Sequence, residues 1–302
     1  MTEEAAFLAA IAAAPADNAI RLVFADWLEE RGCREAKLIR AECELTGQPV
    51  GYPQWHDTFS RYRIAGEGLS EQWCEAVGRF PLAHWLAVAA RSAWTRLDRW
   101  FEVNHPRVLQ TLNPGASPEE IEAVERSIGQ TLPPDVRASL AIHNGGLQHP
   151  ILGDDLLSTP QVIAEWREWR GLESYNEEFR WSMESFPEGA VALDYANSGW
   201  IPLTQGGSDY LGIDLAPGPS GSVGQVMNFG RDEEHKCVLA SGWAEFLADL
   251  ATFLESGAVS GFDPNSSNVD DWYSDAMDNT NCHDVLTRWR KEGRWPPREQ
   301  SV

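Results

Sequence analysis

Between residues 200 and 240 the chain is cut into four short runs, 200–204, 210–215, 223–229 and 236–240, each bounded by Gly, Pro or Asp. Runs of this length are too short for stable helices, and tight turns between them predict an antiparallel meander. The segment that follows has a different period. From Ser241, residues Trp243, Phe246, Leu247, Leu250, Phe253 and Leu254 share one broad face of a helix that stops at Gly257. A meander buries one face against amphipathic helices, so the expected class is α+β, with helices packed on one face of an antiparallel-rich sheet.

Upstream, Ser117-Pro118-Glu119-Glu120 carries a cap, a proline at the first helical position and a Glu placed to reach back, so a helix continues through Ile121, Val124 and Ile128. Leu132-Pro133-Pro134-Asp135 resets the chain, and a second helix is expected through Val136, Leu140 and Ile142, stopped by Asn144-Gly145-Gly146. His143 would then end a helix, where the dipole favours a charged imidazole.

The N-terminal region reads as helical. Residues 3–14 form an Ala-rich helix ending before Pro15, and Asp17 caps a second helix whose apolar face is Ile20, Val23, Phe24, Trp27 and Leu28. Gly32 ends that helix, and a third runs from Glu35 to Leu45. The segment 51–93 reads as linker plus connecting helices, with Trp55, Phe59, Tyr62, Trp73, Phe80 and Trp85 as core residues. The expected organisation is a small helical domain at 1–50, the connector at 51–93, the α+β domain at 94–260 and an acidic tail at 261–302. Within that tail a short helix is expected from His283 to Lys291, and Trp272, Tyr273, Trp289 and Trp295 suggest that it docks on the body or on a partner.

Two resemblances follow from these residues. The segment Arg21-Leu22-Val23-Phe24-Ala25-Asp26-Trp27-Leu28-Glu29-Glu30-Arg31-Gly32 resembles the signature of a bacterial repeat-companion domain, which implies a module rather than a reaction. Asp26 is expected to cap or to pair with Arg21 or Arg31. The ordered segments Leu132-Pro133-Pro134-Asp135 to His143-Asn144-Gly145, Leu156-Leu157-Ser158 with Trp166, Trp200-Ile201-Pro202-Leu203 and Tyr210-Leu211-Gly212-Ile213-Asp214 resemble the SUKH superfamily. That superfamily holds toxin-neutralising immunity proteins and a fungal cell-wall assembly regulator. The resemblance implies a non-catalytic protein-binding domain, expected to be of the immunity type, with a regulatory scaffold as the alternative. It also implies that Asn144, Gly145, Trp200 and Asp214 recur because the fold needs them, and that they border a partner-binding cleft.

Composition narrows the partner. The chain carries 24 Lys and Arg against 46 Asp and Glu, a net charge of −22, which argues against a nucleic-acid phosphate backbone and favours a basic protein, a toxin among the candidates. No stretch reaches the roughly 18 apolar residues of a membrane span. The acidic start Met1-Thr2-Glu3-Glu4 lacks the basic segment of a secretory signal, so a bacterial cytoplasmic location is expected. The cysteines, Cys33, Cys43, Cys74, Cys237 and Cys282, are widely spaced and read as free thiols.

Catalytic motifs are missing from the sequence, so no catalytic residue, cofactor or metal is assigned. The best carboxylate pair is Asp154-Asp155, read as caps and turn formers. Asp209 and Asp214 flank the Gly206-Gly207 turn, where a cation or a basic side chain of a partner would bind. Glu233-Glu234-His235 beside Cys237 reads as a solvated hairpin turn rather than a hydrolytic set, because neighbours along a strand alternate faces. A hydrolase using the acidic turn residues is the least favoured reading.

Overall fold

Asp17 accepts a hydrogen bond from the Ala19 amide at 2.8 Å and so starts the second helix of the computed structural model, which describes residues 2–259 and 282–296. Helices α1 (Glu3–Ala13), α2 (Asn18–Glu29), α3 (Ala36–Gly47), α4 (Pro53–Gly66) and α5 (Glu71–Val77) pack around one cluster that includes Phe24, Leu28, Leu38, Ile39, Trp55, Phe59 and Trp85. On α2 the core face is Arg21, Phe24, Ala25 and Leu28, whereas Val23, expected inside, is 56% exposed. The buried Arg21 guanidinium donates to the carbonyls of Pro15, Val77 and Gly78, which answers its desolvation. Asp26 pairs with Arg40 at 2.5 Å, not with Arg21 or Arg31; Arg31 stacks on Trp27 and pairs with Glu3.

The long helix α6 (Leu82–Asn104) joins this cluster to the next. Its first half buries Trp85, Ala89 and Ala90 among the N-terminal helices, and its second half buries Ala93, Trp94, Leu97 and Phe101 in the main core. The boundary expected between residues 93 and 94 therefore falls inside a continuous helix. Next come α7 (Pro106–Thr111), β1 (Leu112–Pro114), α8 (Pro118–Ile128) and α9 (Pro134–Leu140). The capping box of Ser117 with Glu120 is present at the start of α8. Asp135 of α9 is buried, and its Oδ2 accepts from the Ala244 amide at 3.0 Å, capping a helix more than a hundred residues away.

Residues 143–151 differ from the sequence reading. They form β2 (His143–Ile151), not a helix end, and pair with β1 and with β3 (Asp154–Leu156). Gly145 is left-handed as expected (φ 90°), but it sits in an irregular strand. His143 is thereby placed beside α6, with its Nε2 3.0 Å from Asp98 and its ring edge-on to Trp94.

The chain continues through α10 (Thr159–Arg170), α11 (Asn176–Phe179), β4 (Glu184–Phe186), β5 (Trp200–Pro202), β6 (Thr204–Gln205), β7 (Asp209–Asp214), β8 (Gln225–Gly230) and β9 (His235–Ala240). It closes with α12 (Trp243–Glu255) and α13 (Cys282–Lys291). Among the described residues the strands make two sheets, one ordered β1-β2-β3-β6 and one ordered β4-β9-β8-β7-β5, antiparallel except for the β4–β9 pair. Every residue of β7 and β8 is buried, so the sheet is covered on both faces, where sequence patterning predicted one. Leu211, Ile213, Val226 and Leu239 meet α6, α9, α12 and α13; Tyr210, Met227, Phe229 and Val238 meet a second cluster with Trp169, Val191 and Trp200. Trp289 and Trp295 are buried in the main core, so residues 282–296 do dock on the body, whereas Asp263 to Asp278, with Trp272 and Tyr273, lie outside the described residues. No described helix is long and apolar enough to cross a membrane.

Candidate functional site

The five residues singled out in the sequence do not share one surface. Trp200 and Asp214 face each other in register across β5 and β7, and both are fully buried. Asp214 accepts from the Ala216 amide at 2.9 Å and from Gln225 Nε2 at 3.0 Å, and burial pushes its carboxyl up to about 6. Asp209 lies at the opposite end of β7, where a Cβ on Gly230 would overlap it. Asn144 and Gly145 belong to the other sheet: Asn144 Oδ1 accepts from the Thr159 amide at 2.7 Å, helping to start α10, and a Cβ on Gly145 would lie 2.8 Å from the Ser158 nitrogen. Each of these contacts is one the fold itself uses. The Asp209–Asp214 pair does not converge on the Gly206-Gly207 turn.

Asp154 and Asp155 are also separated. Asp155 turns to His149, accepting from its amide at 3.1 Å, whereas Asp154 points into the interior at 1% exposure. There its Oδ2 accepts from Thr204 Oγ1 at 2.5 Å, and its Oδ1 lies 3.4 Å from Cys282 Sγ and 3.2 Å from His283 Nε2. All three side chains are buried. Burial pushes the Cys282 thiol up to about 12. Burial opposes the charged imidazole of His283, but the adjoining Cys282 and Asp154 outweigh it and raise its affinity for a proton well above the ordinary histidine value.

The run Glu233-Glu234-His235 is not wholly solvated: Glu233 is buried and accepts from Asn228 Nδ2 at 2.6 Å, while His235 pairs with Glu184 at 2.9 Å. The Cys237 thiol is buried and raised to about 11, which leaves it protonated and poorly nucleophilic at neutral pH. Next to it Lys236 is fully buried over the Trp200 ring, and burial lowers its ammonium to about 8.

A cleft of about 520 Å³ opens between α3, α4, α5 and the start of α6. Leu38, Tyr62, Leu69, Phe80, Pro81 and Leu82 give it an apolar lining, and Glu67, Glu71 and Glu75 stand exposed along it. Among the described residues these three carboxylates have no ion pair, whereas Arg63 is held by Glu245 at 3.0 Å. The cleft is therefore apolar within, with these three unpaired carboxylates at its edge beside the Arg34 guanidinium, which donates to the Glu67 carbonyl at 2.8 Å, and the Arg79 guanidinium over the Phe80 ring.

Comparison with known proteins places the family of the central region. The SMI1 / KNR4 family (SUKH-1) matches residues 115–249. Residues 115–249 are a SUKH-1 domain. Similar proteins include the cell wall biosynthesis/cell cycle regulator smi1 of Schizosaccharomyces pombe, 41% identical over 184 residues (55% of this chain, 36% of that protein). The glucan synthesis regulatory protein of Neurospora crassa is 32% identical over 204 residues (55% and 38%), and the cell wall assembly regulator SMI1 of Saccharomyces cerevisiae is 31% identical over 220 (60% and 43%). The chain thus spans about two fifths of the length of the curated relatives it matches.

The SUKH-1 domain runs from the loop before α8 into α12, so the cleft residues lie wholly outside it. Asp154 lies within the domain, while Cys282 and His283 reach it from beyond its C-terminal end. Sequence reasoning missed this meeting because 128 residues separate Asp154 from Cys282 and no short spacing announces it. The available signal was weak: adjacent Cys and His at the start of an amphipathic helix in a tail otherwise rich in acids.

Proposed function

We propose that this chain is a non-catalytic regulator that works by binding another protein, a scaffold of the cell-wall assembly regulator type. The observation that carries the reading is the SUKH-1 domain shared with three fungal proteins, each named as a regulator rather than an enzyme. On this reading the SUKH-1 domain is the scaffold, and the N-terminal helices, with their repeat-companion signature, form a module that presents the partner-binding cleft. The apolar lining and the acidic edge suit a segment with apolar anchors flanked by Lys or Arg. The cytoplasm is the location consistent with this role.

Neutralisation of a basic toxin is the second reading, favoured by the net charge of −22. Affinity capture from the native lysate, with wild type beside Glu67→Lys/Glu71→Lys/Glu75→Lys at low and high salt, separates the outcomes. Recovery of cell-wall or signalling proteins by wild type and their loss in the triple variant supports the regulator. A single basic nuclease, released by salt, would replace it with the toxin reading. Equal capture by wild type and the triple variant would remove the cleft from either account.

A further inference from the structure

We propose that Asp154, Cys282 and His283 form a zinc site that clips α13 onto the SUKH-1 domain. The donor set is one carboxylate oxygen, one sulfur and one imidazole nitrogen, lying within 4.8 Å of one another. Sulfur and nitrogen donors select zinc over magnesium or calcium, which take oxygen ligands in greater number. Two of the three donor–donor edges match a tetrahedral zinc. A tetrahedral zinc with bonds of about 2.3 Å to sulfur and about 2.0–2.1 Å to nitrogen and oxygen has S···O and N···O edges of about 3.5 and about 3.3 Å. The observed edges are 3.4 Å from Cys282 Sγ and 3.2 Å from His283 Nε2, both to Asp154 Oδ1.

The surroundings hold the ligands in place. Thr204 Oγ1 donates to Asp154 Oδ2 and so fixes a carboxylate whose Oδ1 faces Cys282 Sγ and whose two oxygens both lie 3.2 Å from His283 Nε2; outer hydrogen bonds of this kind orient a metal's carboxylate. The backbone passes close by at Gly206, where a Cβ would lie 2.2 Å from Asp154 Oδ1 and 3.5 Å from His283 Nε2. Thr204 opens the strand β6 and Gly206 follows it, and β6 pairs with the β3 strand that carries Asp154. The two strands thus supply the oxygen side of the site and α13 supplies the sulfur and nitrogen. Among the described residues three protein donors meet at the site. Uptake of Zn²⁺ displaces the Cys282 thiol proton and the proton on His283 Nε2, both to solvent, and no electron is transferred.

The test uses the untagged full chain, stripped with a chelator and then titrated with zinc chloride against a chromophoric competitor, with bound metal counted by elemental mass spectrometry. The expected result is one zinc per chain and a higher melting temperature with zinc than with chelator. Cys282→Ser and His283→Gln should each weaken binding at least about 100-fold and Thr204→Val about 10- to 100-fold, since removing an outer partner alone has that effect. Cys237→Ser, which alters the other buried thiol, should leave binding unchanged. Cobalt loading of the wild type gives a readout that does not depend on any variant folding: a sulfur-to-cobalt charge-transfer absorption is expected. Substoichiometric zinc, or a cobalt spectrum without the sulfur band, would overturn the proposal and leave a hydrogen-bonded cluster without metal.

Discussion

Asp214 shows how a side chain chosen for a surface role can belong to the interior. It is fully buried, and its two acceptor contacts, with the Ala216 amide and Gln225, only partly replace the water it has lost. Its folded pKa of about 6 lies above the ordinary Asp value of 3.8, so between those pH values the folded chain keeps a proton that the unfolded chain has released. Stability then falls as pH rises through that window and is level above it. Relative to Asp214→Asn, wild type should lose about 3 kcal/mol of unfolding free energy between pH 3.5 and pH 7 as set by buffer, from a shift of about two units at about 1.4 kcal/mol each. Urea titrations of both proteins at the two pH values check it, and a constant difference would mean that the carboxyl is hydrated in the folded state. The same loss of information at residue scale affected Arg21, Arg96 and Lys236. Their charges mark them as surface residues, yet all three are buried, held by distant carbonyls, by Glu255 or by a Trp face. A sequence gives the cost of burying a charge but not the partners that meet it.

Elements with local punctuation were legible. The Ser117–Glu120 box, the proline at the start of α9 and the apolar face of α12 each act within a turn or two, and each appears where the sequence predicted it. The strand β2 was not legible, because Asn144-Gly145-Gly146 satisfies the rules for a helix stop and only pairing with β1 and β3 makes it a strand. α13 was legible as a helix, while its destination was not. Its docking depends on Trp289 against Phe253, with ring centroids 5.4 Å apart, and on the following Trp295 against Phe246 at 5.9 Å. Trp295 is 1% exposed and continuous with the main core, so Trp295→Ala should lower global stability by about 3–5 kcal/mol, the usual cost of emptying a large aromatic site. Equilibrium unfolding by tryptophan fluorescence and by circular dichroism measures this. A loss below about 1 kcal/mol, together with faster tryptic cutting after Arg288 or Arg290, would mean instead that α13 opens as a separate unit before the rest unfolds.

For the molecule as a whole the dominant electrostatic quantity is the net charge of −22, and its effect on stability can be weighed against that of the ion pairs. Most described pairs are exposed: Arg31–Glu3, Arg40–Glu29, Arg61–Glu44 and Arg126–Glu122 all have both side chains well hydrated. Such pairs contribute between about 0 and 1 kcal/mol each, and salt weakens them. The Arg96–Glu255 pair is different, since its guanidinium is 1% exposed, and salt reaches it poorly. Repulsion among the excess carboxylates acts over the entire surface and is screened at the Debye length, which shortens from about 30 Å at 0.01 M salt to about 8 Å at 0.15 M. Long-range repulsion therefore loses more to salt than the short-range pairs do, and the folded chain, being compact, carries more of that repulsion than the unfolded one. Raising sodium chloride from low salt to physiological strength should increase the melting temperature by about 2–4 °C, corresponding to about 1–2 kcal/mol for a chain of this size. Scanning calorimetry at fixed pH, repeated with sucrose in place of salt to account for solute exclusion, tests the claim. A melting temperature that falls with salt would mean that the ion pairs, not the net charge, set the electrostatic stability, and the acidic surface would then be patterned by local pairing, without the long-range field that would draw in a basic partner.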